Sequence, residues 1–515
     1  MKRLLAIALI AMLMAAGCSS AAAPVGETPA SPAAPAAVDA AAVNLTIFMD
    51  FTWLDTDQFN GIIPEEITRQ TGVNLVPTKA SDPMQLGVMI AGGNLPDLIY
   101  TDRMGDRLSN PDLCLPYNKL IEQYAPSFKP SDDQILVASS LSADDNYYTV
   151  LNAASSEEEW HAAKAGCPTL ASLFYRRDIL DELGLYPLKT LDDYVKALAA
   201  VKEKYPDMIP LTMEYTFMTD FFKTNIIPNW VPTTESMIQQ DNGTIMHQTS
   251  SPEYKTYLQF MNNLYRNKYF SADNFAFTDG SQAEELLMTG KAFSMSFMTG
   301  DADRKYNQGL KDNGITGLIE QSLPLSSLRY TTPGTGWAGV YITKNNSNPE
   351  KSIQMMQWMF SPEGQKITQW GREGIEYTVD ADGIPTFSDD WQKARDDGTM
   401  AVKYNPNYYF GISGVVEAVG RASGISESAK SVMNAVRSNL RTAVIPGLIS
   451  PTADSPERVR MDEVSEFVKN QETKIYLSDN DDAFNANVKE LYDKLAQIGL
   501  PELEAFYNQE AQKLK

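Results

Sequence analysis

The sequence predicts an α/β protein of two lobes. Three observations carry that expectation. Strand-like and helix-like segments alternate from Leu45 to Tyr100 and again from Ser172 to Phe297, the pattern of sheets covered by helices. The chain has 515 residues, more than one hydrophobic core organises. No short-period repeat relates the two alternating runs, so they read as lobes rather than tandem copies.

The first run opens at Leu45-Thr46-Ile47-Phe48-Met49, a strand by its β-branched and aromatic content. Pro64 to Thr71 reads as a short helix stopped by Gly72. Val73 to Val76 alternates as a strand. Met84 to Ala91 is helical up to Gly92-Gly93, and Leu95 to Tyr100 enters a third strand. In the second run, Ser172 to Tyr175 is a strand and Asp178 to Leu183 a helix closed by Gly184. Thr190 opens a helix whose face is Tyr194, Leu198 and Val201. Ile209 to Met213 and Ala292 to Phe297 are strands, with helices over Tyr254 to Tyr265 and Ser281 to Met288 between them. Gly336 to Thr343 is strand-like. Asn348-Pro349 and Ser361-Pro362 each start a helix as cap and first residue. From about Ser426 onward the chain is mostly helical.

The N-terminus is of another kind. Lys2 and Arg3 precede an apolar run, Leu4 to Met14, too short to span a bilayer comfortably. Ala15-Ala16-Gly17-Cys18 follows. This resembles the lipobox of bacterial lipoproteins, with Ala15 where Leu is usual. It implies a signal peptide over 1–17 and lipidation at Cys18, which would hold the protein outside the cytoplasm, on the outer face of the cell membrane. An ordinary secretory signal with an incidental cysteine is the alternative. Residues 18–43, rich in Ala, Pro and Ser, read as a disordered tether, with a reach of roughly 70 Å if extended.

Composition narrows the function. The formal charge is −23, and −25 without Lys2 and Arg3. No excess of Lys and Arg exists to displace phosphate counterions, so nucleic acid is excluded as a partner. Only His161 and His247 are present, and neither lies in a ligand-spaced cluster, so no metal and no cofactor are expected. Cys114 and Cys167 either pair in an oxidising compartment or stay as buried thiols.

Four stretches carry a family resemblance. They are the lipobox with its tether; Thr71-Gly72-Val73 followed by Gly92-Gly93-Asn94-Leu95-Pro96-Asp97; Phe174 through Leu185; and Ala338 through Gly364, continuing from Trp370 to Thr378. In that order the chain resembles extracellular solute-binding lipoproteins of bacterial ABC importers, family 1, in the LplA-like oligosaccharide-binding branch. The resemblance implies a two-lobed periplasmic-binding-protein-like fold of type II, with a hinge and an interlobe cleft. It implies a monomer that captures a small-molecule carbohydrate and docks on the transmembrane subunits of an ABC permease, anchored to the membrane by lipid. The lobes are expected over 44–165 plus about 330–380, and over about 166–329 plus 381–515. Relatives carry a calcium-binding loop before the strand at Ile209. Here Lys202 to Met208 lacks alternating oxygen ligands and the turn glycine, so no calcium is expected there.

Sugars present apolar C–H faces and a rim of hydroxyls, which aromatic rings and charged hydrogen-bonding groups match. The candidates follow strand ends: Asp50, Trp53 and Asp55; Tyr100, Asp102 and Arg103; Glu214 and Tyr215; Asp301. Trp337 lies at the return crossing between lobes, Arg372 and Glu373 in the family-like stretch, and Trp230 in a loop between Pro228 and Pro232. Trp53 and Trp337 read equally as hinge packing. Tyr408-Tyr409-Phe410 reads as core, and Arg372 with Glu373 as a pair or a hinge support. The leading function is capture of a carbohydrate, an oligosaccharide on family grounds and chain size. A peptide-binding lipoprotein is the alternative within the class. A secreted glycosidase is the alternative outside it, but 66 acidic residues always allow a carboxylate pair to be nominated, and no nucleophile constellation stands out. The chain is therefore not read as an enzyme.

Overall fold

The computed structural model describes residues 42–52, 54, 58–144, 146–214, 219–231, 236–277, 280–299, 302–406, 410–451 and 455–514. Its strands are, in chain order, β1 (Val43–Met49), β2 (Val73–Lys79), β3 (Leu98–Thr101), β4 (Ala171–Arg176), β5 (Ile209–Met213), β6 (Met237–Gln239), β7 (Ile245–His247), β8 (Ala292–Met298), β9 (Ile319–Gln321), β10 (Tyr330–Thr332), β11 (Gly339–Ile342), β12 (Tyr377–Val379), β13 (Pro385–Phe387) and β14 (Leu440–Thr442). Two four-stranded sheets organise two lobes, with orders β11-β3-β1-β2 and β5-β8-β4-β9.

In the first sheet β1, β2 and β3 are parallel, as the strand–helix alternation predicts, and β11 is antiparallel to β3. The side-chain period of two sorts each strand between two layers. Leu45, Ile47, Met49, Leu98, Tyr100, Val340 and Ile342 face one core. Phe48, Ile99 and Tyr341 face the other. The second sheet is mixed: β5 and β8 are parallel, while β4 runs against β8 and β9. Leu173, Tyr175, Leu211, Met213 and Phe293 join a large core that the C-terminal helices Pro456–Tyr476, Asp481–Ile498 and Leu500–Lys513 complete through Val468, Ile475, Leu491 and Leu503.

Three stretches cross between the sheets: 152–170, 322–338 and 411–442. They are knitted together. β10 pairs with β14, Ala153 N donates to Ile412 O at 2.6 Å, and Thr442 N donates to Glu157 Oε2 at 3.0 Å. Trp160, Tyr330, Ala418, Val432 and Leu440 form an apolar cluster of their own there. This placement corrects the lobe boundary expected at 380. Phe387, Trp391, Ala394, Tyr404 and Phe410 pack in the core of the first sheet, so the last crossing begins only after Phe410. Local periodicity shows that these residues have a buried face but not which sheet buries it.

Cys114 and Cys167 are free and buried in different clusters. Burial pushes their thiols up to about 12 and about 11, so neither is a reactive thiolate. Among the described residues no helix is long and apolar enough to cross a membrane. Cys18 and the tether lie outside the described residues.

Candidate functional site

The first sheet has a point at which its connections diverge. β2 lies on one side of β1 and β3 on the other, so a crevice opens beyond the carboxyl ends of β1 and β3, where α/β sheets bind ligands. Asp50 and Phe51 follow β1 there, and Thr101, Asp102 and Arg103 close and follow β3. β11 starts at the same level, because Gly339 pairs with Thr101. Its antiparallel sense delivers Trp337, two residues earlier, to that end of the sheet.

Trp337 sits on an aromatic shelf. Its ring centroid is 5.4 Å from Phe51 and 6.1 Å from Tyr100. Tyr100 makes edge contacts with Phe51 at 4.9 Å and with Phe410 at 4.8 Å. Phe51, Tyr100 and Phe410 are buried, while Trp337 remains 37% exposed. Rings beneath hold this large apolar side chain rigid, and its part-exposed surface can stack on a flat apolar ligand surface. Asn152 fixes the arrangement from the first crossing. Its Nδ2 donates to Tyr100 Oη at 2.8 Å, its Oδ1 accepts from Ala338 N at 3.1 Å, and its own N donates to Ala338 O at 2.9 Å.

Asp50 is held beside the shelf. Arg103 reaches it with two donors, Nη2 to Oδ1 at 2.6 Å and Nε to Oδ2 at 3.2 Å. Thr101 Oγ1 also donates to Oδ2, at 2.8 Å. The Asp50 side chain is 0% exposed and that of Arg103 is 38% exposed. Asp50 is thus a buried support, while Arg103 is the member of the pair that reaches solvent. Its remaining Nη1 donates to Pro83 O at 3.0 Å. Asp102 is 41% exposed on its side chain and lies 3.9 Å from Arg103 Nε. Partial burial raises its carboxyl above the usual range, against the pull of Arg103.

The other expected residues divide. Trp53, Asp55, Tyr215 and Asp301, with Tyr408 and Tyr409, lie outside the described residues. Trp230 is corrected: it is 5% exposed in the second lobe's core, with Nε1 donating to Gln248 Oε1 at 3.1 Å. Flanking prolines mark a loop, but they do not say whether its aromatic turns inward. Arg372 clamps Glu376 through Nη2–Oε1 at 2.7 Å and Nε–Oε2 at 3.0 Å. Glu66 and Arg69 lie near it, and Glu373 is exposed beside Tyr377. These charges form an ion-pair group of the first lobe. In the second sheet, Glu214 and Thr299 follow the carboxyl ends of β5 and β8 and are buried. Thr299 closes the adjoining hinge, accepting from Leu170 N at 3.1 Å and donating to Pro168 O at 3.1 Å.

Phe51 and Asn152 were not among the residues read from the sequence. Phe51 follows a recognisable strand and was within reach of the strand-end argument. Asn152 lies in Leu151-Asn152-Ala153-Ala154, where no local pattern announces a buried amide. Among the described residues no group of three or more His, Cys, Asp or Glu stands together to hold a metal ion.

The fold has close counterparts. The alginate-binding protein AlgQ2, solved without calcium, superposes with TM-score 0.66 at 19% identity, covering 91% of this chain and 98% of that one. The Streptococcus pneumoniae substrate-binding protein FusA, solved with kestose, gives 0.68 at 16% identity over 92% and 99%. A solute-binding protein from Bifidobacterium longum infantis, described as binding HMO, gives 0.64 at 17% identity over 91% and 98%. In sequence the chain is 25% identical to lipoprotein LipO of Bacillus subtilis over 239 residues. That match spans 42% of this chain and 45% of the LipO chain, less than half its length. A family model matches residues 65–398, more than half of the chain and the stretch from β2 through β13 with the return strand β11, and the chain belongs to the bacterial extracellular solute-binding proteins.

Proposed function

We propose that this protein captures a carbohydrate, an oligosaccharide, between its lobes and delivers it to the transmembrane subunits of an ABC importer without transforming it. The observation that carries the reading is the Trp337 indole, part-exposed on a shelf of Phe51 and Tyr100 at the divergence point of the first sheet. Arg103 and Asp102 follow the carboxyl end of β3, at the same end of the sheet, and offer groups suited to hydroxyls. The neighbours in fold include proteins solved with kestose or with Man5GlcNAc, which supports a sugar chain as the ligand class. Trp53, Asp55, Tyr215 and Asp301 are proposed as the contacts that complete the site. Cys18 is proposed as the lipid attachment that keeps the protein on the outer face of the membrane, and two or more acyl chains would make that attachment durable.

Titration calorimetry with kestose, Man5GlcNAc and alginate oligomers tests the reading. Saturable heat with at least one of them is expected, and Trp337→Ala weakens it by about tenfold through lost stacking. Binding of none, with tight binding of a peptide instead, overturns it. Detectable turnover of a bound sugar overturns the transport assignment. Mass spectrometry of the mature N-terminus tests the anchor separately, since an unlipidated terminus removes it and leaves the binding role.

A further inference from the structure

An ion pair joins the two lobes directly, without passing through a crossing. Arg304 Nη1 lies 2.6 Å from Asp396 Oδ1. Arg304 belongs to the second lobe. It stands in the helix Ala302–Asp312, which follows β8 and packs through Tyr306 and Leu310 with Phe174 and Met295 of the second sheet. Asp396 belongs to the first lobe. It ends the helix Asp389–Asp396, whose Trp391 and Ala394 lie in the first sheet's core. Each partner is tied to a strand's carboxyl end, the side on which α/β sheets bind ligands. Arg304 comes soon after the end of β8. The segment after Asp396 rests on residues 58–63, which follow β1: Ile63 N donates to Tyr404 O at 3.1 Å, and Asn405 Nδ2 donates to Gln58 O at 2.8 Å.

Neither charge suits its own helix. Arg304 is in the first turn, where free N–H groups make a helix end positive, and Asp396 is the last residue, where free carbonyls make it negative. Each placement is locally unfavourable. The pairing reverses this. It sets the carboxylate at the positive end of the second lobe's helix and the guanidinium at the negative end of the first lobe's helix. Lobes that part leave each charge against its own helix end again. Residues that break a local rule for a tertiary gain mark places where the whole fold decides. The side chains are 40% and 59% exposed, so counter-ions reach the pair and screen it. Arg395 Nε, 3.8 Å from Asp396 Oδ1, is in the same lobe as the carboxylate and adds nothing between the lobes.

We propose that Arg304 and Asp396 form an electrostatic clasp that holds the lobes in the closed arrangement and that ionic strength loosens. The clasp goes beyond the transport reading and rests on lobe closure alone, whatever the ligand.

Single-molecule fluorescence energy transfer on the ligand-free full chain reads the lobe separation. Val88→Cys on the first lobe and Lys255→Cys on the second carry the dyes. Both sites are exposed, Cys114 and Cys167 are buried, and Cys18→Ser leaves the N-terminus unlabelled. NaCl is raised from about 0.01 M to about 1 M, which shortens the Debye length from about 30 Å to about 3 Å. The ratio of closed to open molecules is expected to fall about two- to fivefold, the range of an exposed ion pair. Asp396→Asn is expected to lower the ratio by the same factor at low salt and to remove the further fall. Arg304→Asp combined with Asp396→Arg is expected to restore both the ratio and its salt response. A distribution that Asp396→Asn leaves as it is in the parent, whether one population or two, overturns the clasp. So does a fall with salt that persists in Asp396→Asn, or a reversed pair that behaves as the single variant does. Absence of saturable heat with every sugar bears on the transport reading alone, since no ligand enters this measurement.

Discussion

Asp50 shows how a functional-looking residue can act through its neighbour. A carboxylate at a strand end invites assignment as a hydroxyl acceptor, yet three donors from Arg103 and Thr101 already occupy it. Its task is to aim Arg103. Asp50→Ala should lower unfolding free energy by about 1–3 kcal/mol, less than a fully buried pair would lose, because Arg103 can turn to water. Urea denaturation with an unshifted midpoint would contradict this. Two further residues titrate against each other's trend. Burial at the start of the helix Asp220–Ile226 pushes the Asp220 carboxyl up from 3.8 to about 6, opposed by Lys223 and aided by Glu472. Between those values the folded chain holds a proton that the unfolded chain releases, so stability falls as pH rises and the penalty is complete above about 6. His247 is the reverse case. Burial first, then Lys223, depresses it from 6.5 to about 3, so its contribution stands above 6.5 and is lost as pH falls toward 3. Asp220→Asn should therefore stabilise by about 1–2 kcal/mol near neutral pH and change little below about pH 4. Equal melting shifts at both pH values would sink the assignment.

At the scale of elements, what the sequence disclosed was whatever is decided locally. Asn348 accepts from Lys351 N with Pro349 first in its helix, and Ser361 accepts from Gly364 N with Pro362 next, both as their chemistry implies. Gly72 and Gly184 close their helices as expected. Asn480 caps the helix opening at Asp481, which makes the acidic run Asp479 to Asp482 a helix start. What escaped is decided at a distance. Antiparallel β4 and β8 look locally like parallel strands, and the hydrophobic face of 387–404 does not name its sheet. The site shares this division. Trp337 was legible from its place at a crossing, whereas the shelf beneath it needs Phe51 and Phe410 brought together from remote parts of the chain. Removing the Asn348 side-chain acceptor tests the local kind of information. Asn348→Ala should cost about 1 kcal/mol and Asn348→Asp much less, measured by thermal unfolding. Equal losses for both would mean that the side chain acts in some way other than as a cap.

The whole molecule joins its lobes through strands that also carry the candidate site. Trp337 belongs to the second crossing and Asn152 to the first. Asn152 exchanges hydrogen bonds with Ala338, so the stacking face and the hinge are one assembly. A ligand that presses on Trp337 from the second lobe's side would then favour whichever hinge arrangement keeps those bonds, and so shift the population toward closure. Gly336 lets the two crossings approach this closely. Its φ is +83°, and a Cβ there would lie 2.2 Å from Asn152 O, a backbone atom with no flexible end to move aside. Gly336→Ala must therefore spread the crossings and carry Trp337 away from its shelf, while the two lobe cores, built around the separate sheets, stay packed. The expected outcome is loss of oligosaccharide affinity by about tenfold or more, with far-ultraviolet circular dichroism unchanged and with ligand no longer reducing the radius of gyration in X-ray scattering. If the variant closes on ligand as the parent does, the coupling of shelf to hinge is wrong, even where Trp337→Ala still weakens binding.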